Sequence, residues 1–169
     1  MTAAIDVRRF SRPKYVGRYK TPPDLNAMTL GQMFQLSRVV TPDGAFYAPC
    51  EILLGMSHEE VRRAEATQVV RFAGWVSAQL EKVNELWGRL KPQYSAEELR
   101  AGVERLSFGA FGIADWYARR MGINDHEIVM QVPWLRVYQC MKIDTETAAY
   151  QRRLQQIRIN EAKAKQRHR

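Results

Sequence analysis

The sequence is poor in the residues and motifs on which most enzymatic chemistry depends. It has two cysteines and three histidines in 169 residues. The histidines, His58, His126 and His168, have no second ligand-type residue at helical spacing on an apolar face, as a metal site on a helix would require. No phosphate-binding loop, G-x-S-x-G or H-E-x-x-H motif occurs. We therefore expect no catalytic residue, no metal site and no cofactor, and a protein that is not an enzyme.

Long apolar runs are missing as well. No stretch approaches the ~18 residues that a membrane-spanning helix needs, and residues 1–10 lack the apolar segment of a signal peptide. Cys50 and Cys140 lie in apolar surroundings outside any C-x-x-C pair, which indicates buried free thiols and not a disulfide framework. These features predict an intracellular protein that does not contact a membrane.

Positive charge is concentrated at the two ends of the chain. The net charge is +8 overall, with +5 in residues 1–20 and +6 in residues 152–169, which leaves −3 for residues 21–151. Basic ends of this kind bind phosphate backbones or acidic protein surfaces, or are simply solvated. The candidate residues for such contacts are Arg8, Arg9, Arg12, Arg152, Arg153, Lys163, Lys165, Arg167 and Arg169.

The apolar spacing predicts a mainly α fold, a multi-helix bundle with an extended N-terminal arm and a short strand near residues 4–10. Three capping boxes, at Thr29, Ser57 and Ser95, mark helix starts. The longest predicted helix repeats its apolar residues at alternating intervals of three and four. The predicted parts are a basic extended arm (1–24), an N-terminal helical subdomain (25–91), a C-terminal helical subdomain (95–151) and a basic helical tail that frays at its end (152–169).

Further helices are predicted from turn and cap signals. A turn at residues 41–44 precedes one helix, Pro133 opens another, and Asp144 or Thr145 is expected to cap a separate final helix that runs into the basic tail. The predicted helix ranges are about 29–39, 45–54, 67–90, 95–106, 108–121, 125–131 and 133–141.

Aromatic residues are concentrated in the second half of the chain. Most should form core, but a chain of this size can leave part of such a set exposed as a groove for an amphipathic helix. The candidate partner-binding residues are Phe108, Phe111, Trp116, Tyr117, Trp134 and Tyr138.

The same region also resembles a helix-turn-helix. A helix ending at Gly122, a short acidic helix and a helix from Pro133 have suitable spacing. The reader helix would offer Arg136 and Gln139 to base edges. The acidic residues before it, Asp125 and Glu127, oppose DNA binding.

Three stretches, in order, resemble phage tail assembly chaperones: "TPPDLNAMTLGQMFQL" at Thr21–Leu36, "CEILLGMSHEEVRRA" at Cys50–Ala64, and the helical segment Phe108–Leu154. The resemblance implies a non-enzymatic, largely helical, oligomeric protein encoded by a phage or prophage. It would bind the tape measure protein, or another tail protein, in the host cytoplasm and leave before the virion is complete. The family supplies no signature residues for transfer.

The leading hypothesis is therefore a tail assembly chaperone that binds apolar helices of the tape measure protein. The two basic ends depart from that expectation and keep two alternatives open. One is a structural or connector protein retained in the virion, and the other is a nucleic-acid-binding protein that uses its basic tails and the helix-turn-helix-like segment.

Overall fold

A computed structural model describes residues 11–90 and 94–167, with the side chain of residue 167 excluded. Within these residues the chain forms eight α-helices and one small hairpin, which confirms the predicted mainly α, multi-helix fold. The elements, in order, are β1 (Tyr15–Val16), β2 (Tyr19–Lys20), α1 (Leu30–Ser37), α2 (Pro42–Leu54), α3 (His58–Arg63), α4 (Ala66–Arg89), α5 (Ala96–Arg100), a 3-10 turn (Val103–Arg105), α6 (Gly109–Met121), α7 (His126–Met130) and α8 (Trp134–Arg167).

The described part of the N-terminal arm is a folded hairpin and not an extended segment. β1 and β2 pair antiparallel around Gly17, whose φ of +55° lies in the left-handed region that favours glycine. Val16 is fully buried, and β1 packs against α4. Burial of Val16 attaches the hairpin to the helices, as do bonds from the Gly17 N–H to Gln68 and from the Tyr19 hydroxyl to Glu60. The strand predicted near residues 4–10 lies outside the described residues.

Helices α1 to α4 supply half of the buried hydrophobic residues. Thr29 caps α1 as expected, with its hydroxyl accepting from the Gln32 N–H at 3.1 Å. α2 begins at Pro42, earlier than predicted, because Thr41 caps it and proline suits the first turn of a helix. α4 buries one apolar stripe, as its spacing predicted, including Phe72 at 0% exposure.

The start of α8 is bonded to the segment before α1. Thr29 and Pro133 form an isolated antiparallel bridge, and the Leu30 N–H donates to the Val132 carbonyl at 2.8 Å. The Trp134 ring Nε1 donates to the Leu25 carbonyl at 2.7 Å. Buried residues from 25–91 and from 95–151, the two predicted subdomains, therefore belong to one hydrophobic cluster.

Two predictions for the second half were wrong. α5 ends at Arg100 and not near residue 106, and all five of its residues are exposed, so burial does not extend it. The final helix is also not separate, because α8 runs unbroken for 34 residues, or about 50 Å. Asp144, the expected cap, instead accepts two bonds from the Arg120 guanidinium, both at 3.1 Å.

Candidate partner-binding surface

Three of the six predicted partner-binding aromatics are core residues. Tyr117, Trp134 and Tyr138 have exposed fractions of 1%, 2% and 9%. Tyr138 meets the edge of the Trp87 ring, with 5.6 Å between ring centroids. These three residues therefore cannot form a docking surface in this conformation, and the prediction is corrected for them. Their burial follows from the face of α6 and α8 that packs inward, which aromatic density alone does not reveal.

Phe108 and Phe111, by contrast, are exposed. Their exposed fractions are 69% and 63%. Phe108 precedes α6, and Phe111 lies in its first turn. The Phe111 ring also contacts the His126 ring of α7, with 4.9 Å between centroids. Exposed aromatic rings close together in sequence are typical of sites that bind other proteins.

An open groove lies beside Phe111, between α1, α6 and α7. Its volume is about 420 Å³. Phe34 and Met130 contribute apolar lining, while Arg38 and Glu127 contribute charge. α1 and α7 approach closely along it, because a Cβ on Gly31 would lie 3.1 Å from the Met130 carbonyl oxygen. A side chain at residue 31 would therefore push the two walls apart.

A polar contact also links α6 to α7. His126 Nε2 lies 3.4 Å from Asp115 Oδ1, and the other Asp115 oxygen accepts from Arg119 at 2.8 Å. Across the described residues, no group of three or more histidine, cysteine or acidic side chains is placed to hold a metal ion.

Trp116 is half-buried and faces a different groove. That groove has a volume of about 500 Å³ and lies between the end of α4, α6 and α8, with Leu90, Ala148 and Arg152 among its lining residues. Of the six predicted aromatics, three therefore lie in the core, Phe111 and Trp116 line two different grooves, and Phe108 is exposed outside the lining of both. Sequence reasoning missed the groove residues Phe34, Arg38 and Met130, because a groove between α1 and α7 depends on tertiary packing that residue spacing does not reveal.

The basic candidates also occupy different environments. Arg12 is a structural residue, because its guanidinium donates to the carbonyls of Thr21 and Pro22 at 3.0 and 3.2 Å. Arg152, Arg153, Lys163 and Lys165 are exposed along α8. The backbone of residue 167 belongs to α8, and its side chain lies outside the described part, as do Arg8, Arg9 and Arg169.

In the helix-turn-helix-like segment, the proposed reader helix packs one of its faces into the core. Trp134, Val137 and Tyr138 are buried at the start of α8, while Arg136 and Gln139 are exposed. Bonds from this end of α8 to Leu25 and Met28 attach it to the body of the protein. Its exposed face therefore offers two polar side chains with suitable base-reading chemistry.

Comparison of the chain with family models, with curated proteins and with solved structures found no match. Within residues 11–90 and 94–167, no helix combines the length and the apolar character needed to cross a membrane.

Proposed function

We propose that this protein is a phage tail assembly chaperone that holds an apolar helix of the tape measure protein in the Phe111 groove. The observation that carries the proposal is the exposed Phe111, which lines an open groove with apolar residues, together with the exposed Phe108 three positions before it in the chain. An amphipathic helix binds such a groove through side chains spaced three and four residues apart. The sequence resemblance to tail assembly chaperones supplies the identity of the partner.

Binding energy would come mainly from burying the two phenyl rings. Each ring that passes from water into an apolar contact contributes about 2 kcal/mol. Residues 21–151 carry a net charge of −3, so the body that presents the groove does not repel a neutral or basic helix. Arg38 and Glu127, which line the groove, can orient the bound helix through its polar side chains.

Co-expression with fragments of the tape measure protein tests the proposal. The wild-type protein should keep a fragment in solution and co-purify with it. The double variant Phe108→Ser/Phe111→Ser should bind at least about 100-fold more weakly, because each 1.4 kcal/mol is a tenfold change. Val40→Ser is the matched control, since Val40 is 90% exposed and lies outside the groove lining.

Two results would count against the proposal. One is equal co-purification of wild type and double variant, with both showing the same thermal unfolding. The other is stoichiometric presence of the protein in purified virions, which would favour the connector alternative over a chaperone that departs.

A further inference from the structure

The second half of α8 presents an apolar stripe that the body of the protein leaves open. Ile143, Tyr150 and Ile157 are 56%, 57% and 53% exposed, and Leu154 is half-buried. With Thr147 they follow one another at alternating intervals of four and three residues, as in the seam of a coiled coil. The stripe is about 21 Å long, or four helical turns.

Charged residues border this stripe on both sides, and their sign changes along it. At 3.6 residues per turn, Glu146 and Arg153 lie along one border. Asp144 and Arg158 lie along the other border. On each side the acidic residue comes first in the chain and the basic residue follows. The stripe therefore has an acidic beginning and a basic end.

We propose that this face of α8 docks the same face of a second copy of the chain, with the two helices antiparallel and Tyr150 at the centre. The two-fold axis of such a pair is perpendicular to the helices, so each border lies beside the same border of the other copy in reverse order. Arg153 of one copy then lies near the partner's Glu146, and Arg158 lies near the partner's Asp144. By symmetry each pairing occurs twice.

Charge also selects the orientation of the pair. In a parallel pair, Arg153 of one copy would lie beside Arg158 of the other, at the positions where ion pairs normally form. Residues 152–169 of the two copies, each with a net charge of +6, would also lie side by side. The antiparallel pair instead places the basic end of each stripe beside the acidic beginning of the other, which favours association.

Occupants with one sign of charge fit the stripe less well. An acidic helix of another protein would pair with Arg153 and Arg158. The same helix would meet Glu146 and Asp144 as like charges, which opposes association. The phosphates of a nucleic acid would meet the same repulsion, and the apolar residues of the stripe would remain in water. A reversed copy of α8 satisfies the apolar residues and both signs of charge.

The pairing at Glu146 should contribute more than the pairing at Asp144. Asp144 already accepts two bonds from Arg120 of its own chain. Glu146 lies 3.8 Å from Lys142 at an exposed position, where an ion pair within the helix is weak. Charge changes at Glu146 and at its expected partner Arg153 should therefore have the largest effect.

Analytical ultracentrifugation of the full chain tests the proposal. The mass should rise from 19.6 kDa towards twice that value with concentration, with a Kd of about 100 µM because four helical turns form a small interface. Tyr150→Ser/Ile157→Ser should weaken the dimer at least about tenfold. Gln155→Ser, at an exposed position off the stripe, should dimerise as wild type does, as should Phe108→Ser/Phe111→Ser. A chain that stays monomeric up to about 1 mM would overturn the proposal.

Charge reversals test the pairing of Glu146 with Arg153. Glu146→Arg alone and Arg153→Glu alone should each weaken the dimer at least about fivefold, because each places like charges together. The combined variant Glu146→Arg/Arg153→Glu should restore the Kd to within about threefold of wild type. Circular dichroism should show equal helical content in the three variants. A combined variant that dimerises no better than the single ones would refute this pairing.

Disulfide formation reports the orientation of the two helices. In a Cys140→Ser background, chains with Ile143→Cys mixed with chains with Ile157→Cys should form a mixed disulfide on oxidation, because an antiparallel pair brings these two positions together. Disulfides formed only between identical chains would indicate a parallel pair and contradict the proposal.

Two further outcomes would contradict the proposal in favour of another occupant. A monomeric chain that binds a designed amphipathic helix with glutamate on both borders would assign the stripe to another protein. A monomeric chain that binds a DNA duplex, with unchanged affinity in Tyr150→Ser/Ile157→Ser, would assign the basic end of α8 to nucleic acid.

Discussion

Helices α3 and α5 begin with the same capping motif but differ in how they contact the rest of the protein. In α3 the Ser57 hydroxyl accepts from the Glu60 N–H at 3.2 Å, and the Glu60 carboxylate accepts from the Ser57 N–H at 2.9 Å. In α5 the corresponding distances between Ser95 and Glu98 are 3.1 and 2.7 Å. Both helices therefore have a complete capping box.

Their surroundings differ. α3 buries Val61, which is 3% exposed, whereas Leu99 of α5 is 44% exposed. Glu60 also accepts bonds from the Tyr19 hydroxyl at 2.8 Å and from Arg18 at 2.7 Å. The capping box thus starts both helices, but only α3 is tied into the fold by burial and by the hairpin. Local signals begin a helix, and tertiary contacts decide what it contributes to stability.

The largest contrast should come from truncating one apolar side chain in each helix. Val61→Ala should lower the free energy of unfolding by about 2 kcal/mol, because it removes buried methyl groups and leaves a cavity. Leu99→Ala should change it by less than about 0.5 kcal/mol, since the side chain is largely in water. Urea unfolding measures both, and equal shifts of the two midpoints would refute the contrast.

Removing the caps should give a smaller difference. Ser57→Ala should destabilise the whole protein by about 1 kcal/mol, because α3 unfolds together with the core it packs on. Ser95→Ala should leave the urea midpoint unchanged and raise the exchange rate of the Glu98 amide about fivefold, because α5 opens locally. Hydrogen exchange followed residue by residue distinguishes global unfolding from local opening of α5. A lower urea midpoint in Ser95→Ala would contradict the expectation that α5 opens locally.

The smallest expected effect is on the pKa values of the two capping glutamates, Glu60 and Glu98. The Ser57 backbone N–H and the Tyr19 hydroxyl hold the pKa of Glu60 at about 2, below its ordinary 4.5. The Ser95 backbone N–H likewise lowers the pKa of Glu98. Because folding lowers the pKa, the stability that Glu60 contributes is fully present above pH 4.5 and is lost as the pH falls towards about 2.

A carboxyl titration by NMR checks this. Tyr19→Phe should raise the Glu60 midpoint, because it removes the hydroxyl that donates to the carboxylate. The Glu98 midpoint should not move in this variant, which makes it the internal control. An unchanged Glu60 midpoint would show that the Tyr19 hydroxyl contributes nothing to the contrast.

Sequence patterns predicted the elements that depend on residues close together in the sequence. Thr29, Ser57 and Ser95 were identified as helix caps from their spacing to a glutamine or glutamate, and α4 from its apolar repeat. The hairpin was missed because each strand has only two residues, and its attachment depends on Val16 meeting α4. The continuity of α8 was missed because Asp144 bonds to Arg120, a partner that sequence spacing does not reveal.

The candidate site was predictable only in part, for the same reason. The pattern pointed to six aromatic residues in the second half of the chain, and the structure exposes Phe108 and Phe111 while burying Tyr117 and Trp134. Which aromatic faces outward depends on how α6 and α8 rotate against the rest of the chain. The distribution of charge, in contrast, is a property of composition and could be read from the sequence directly.

The bond between the Trp134 ring and the Leu25 carbonyl has a consequence for how the chain folds during synthesis. The two residues are 109 positions apart, so closing this loop costs about 4 kcal/mol of chain entropy in its length-dependent part. On a ribosome, the segment before α1 waits for its bonding partner until the start of α8 has been made. The N-terminal half can therefore complete its folding only after the start of α8 has been synthesised.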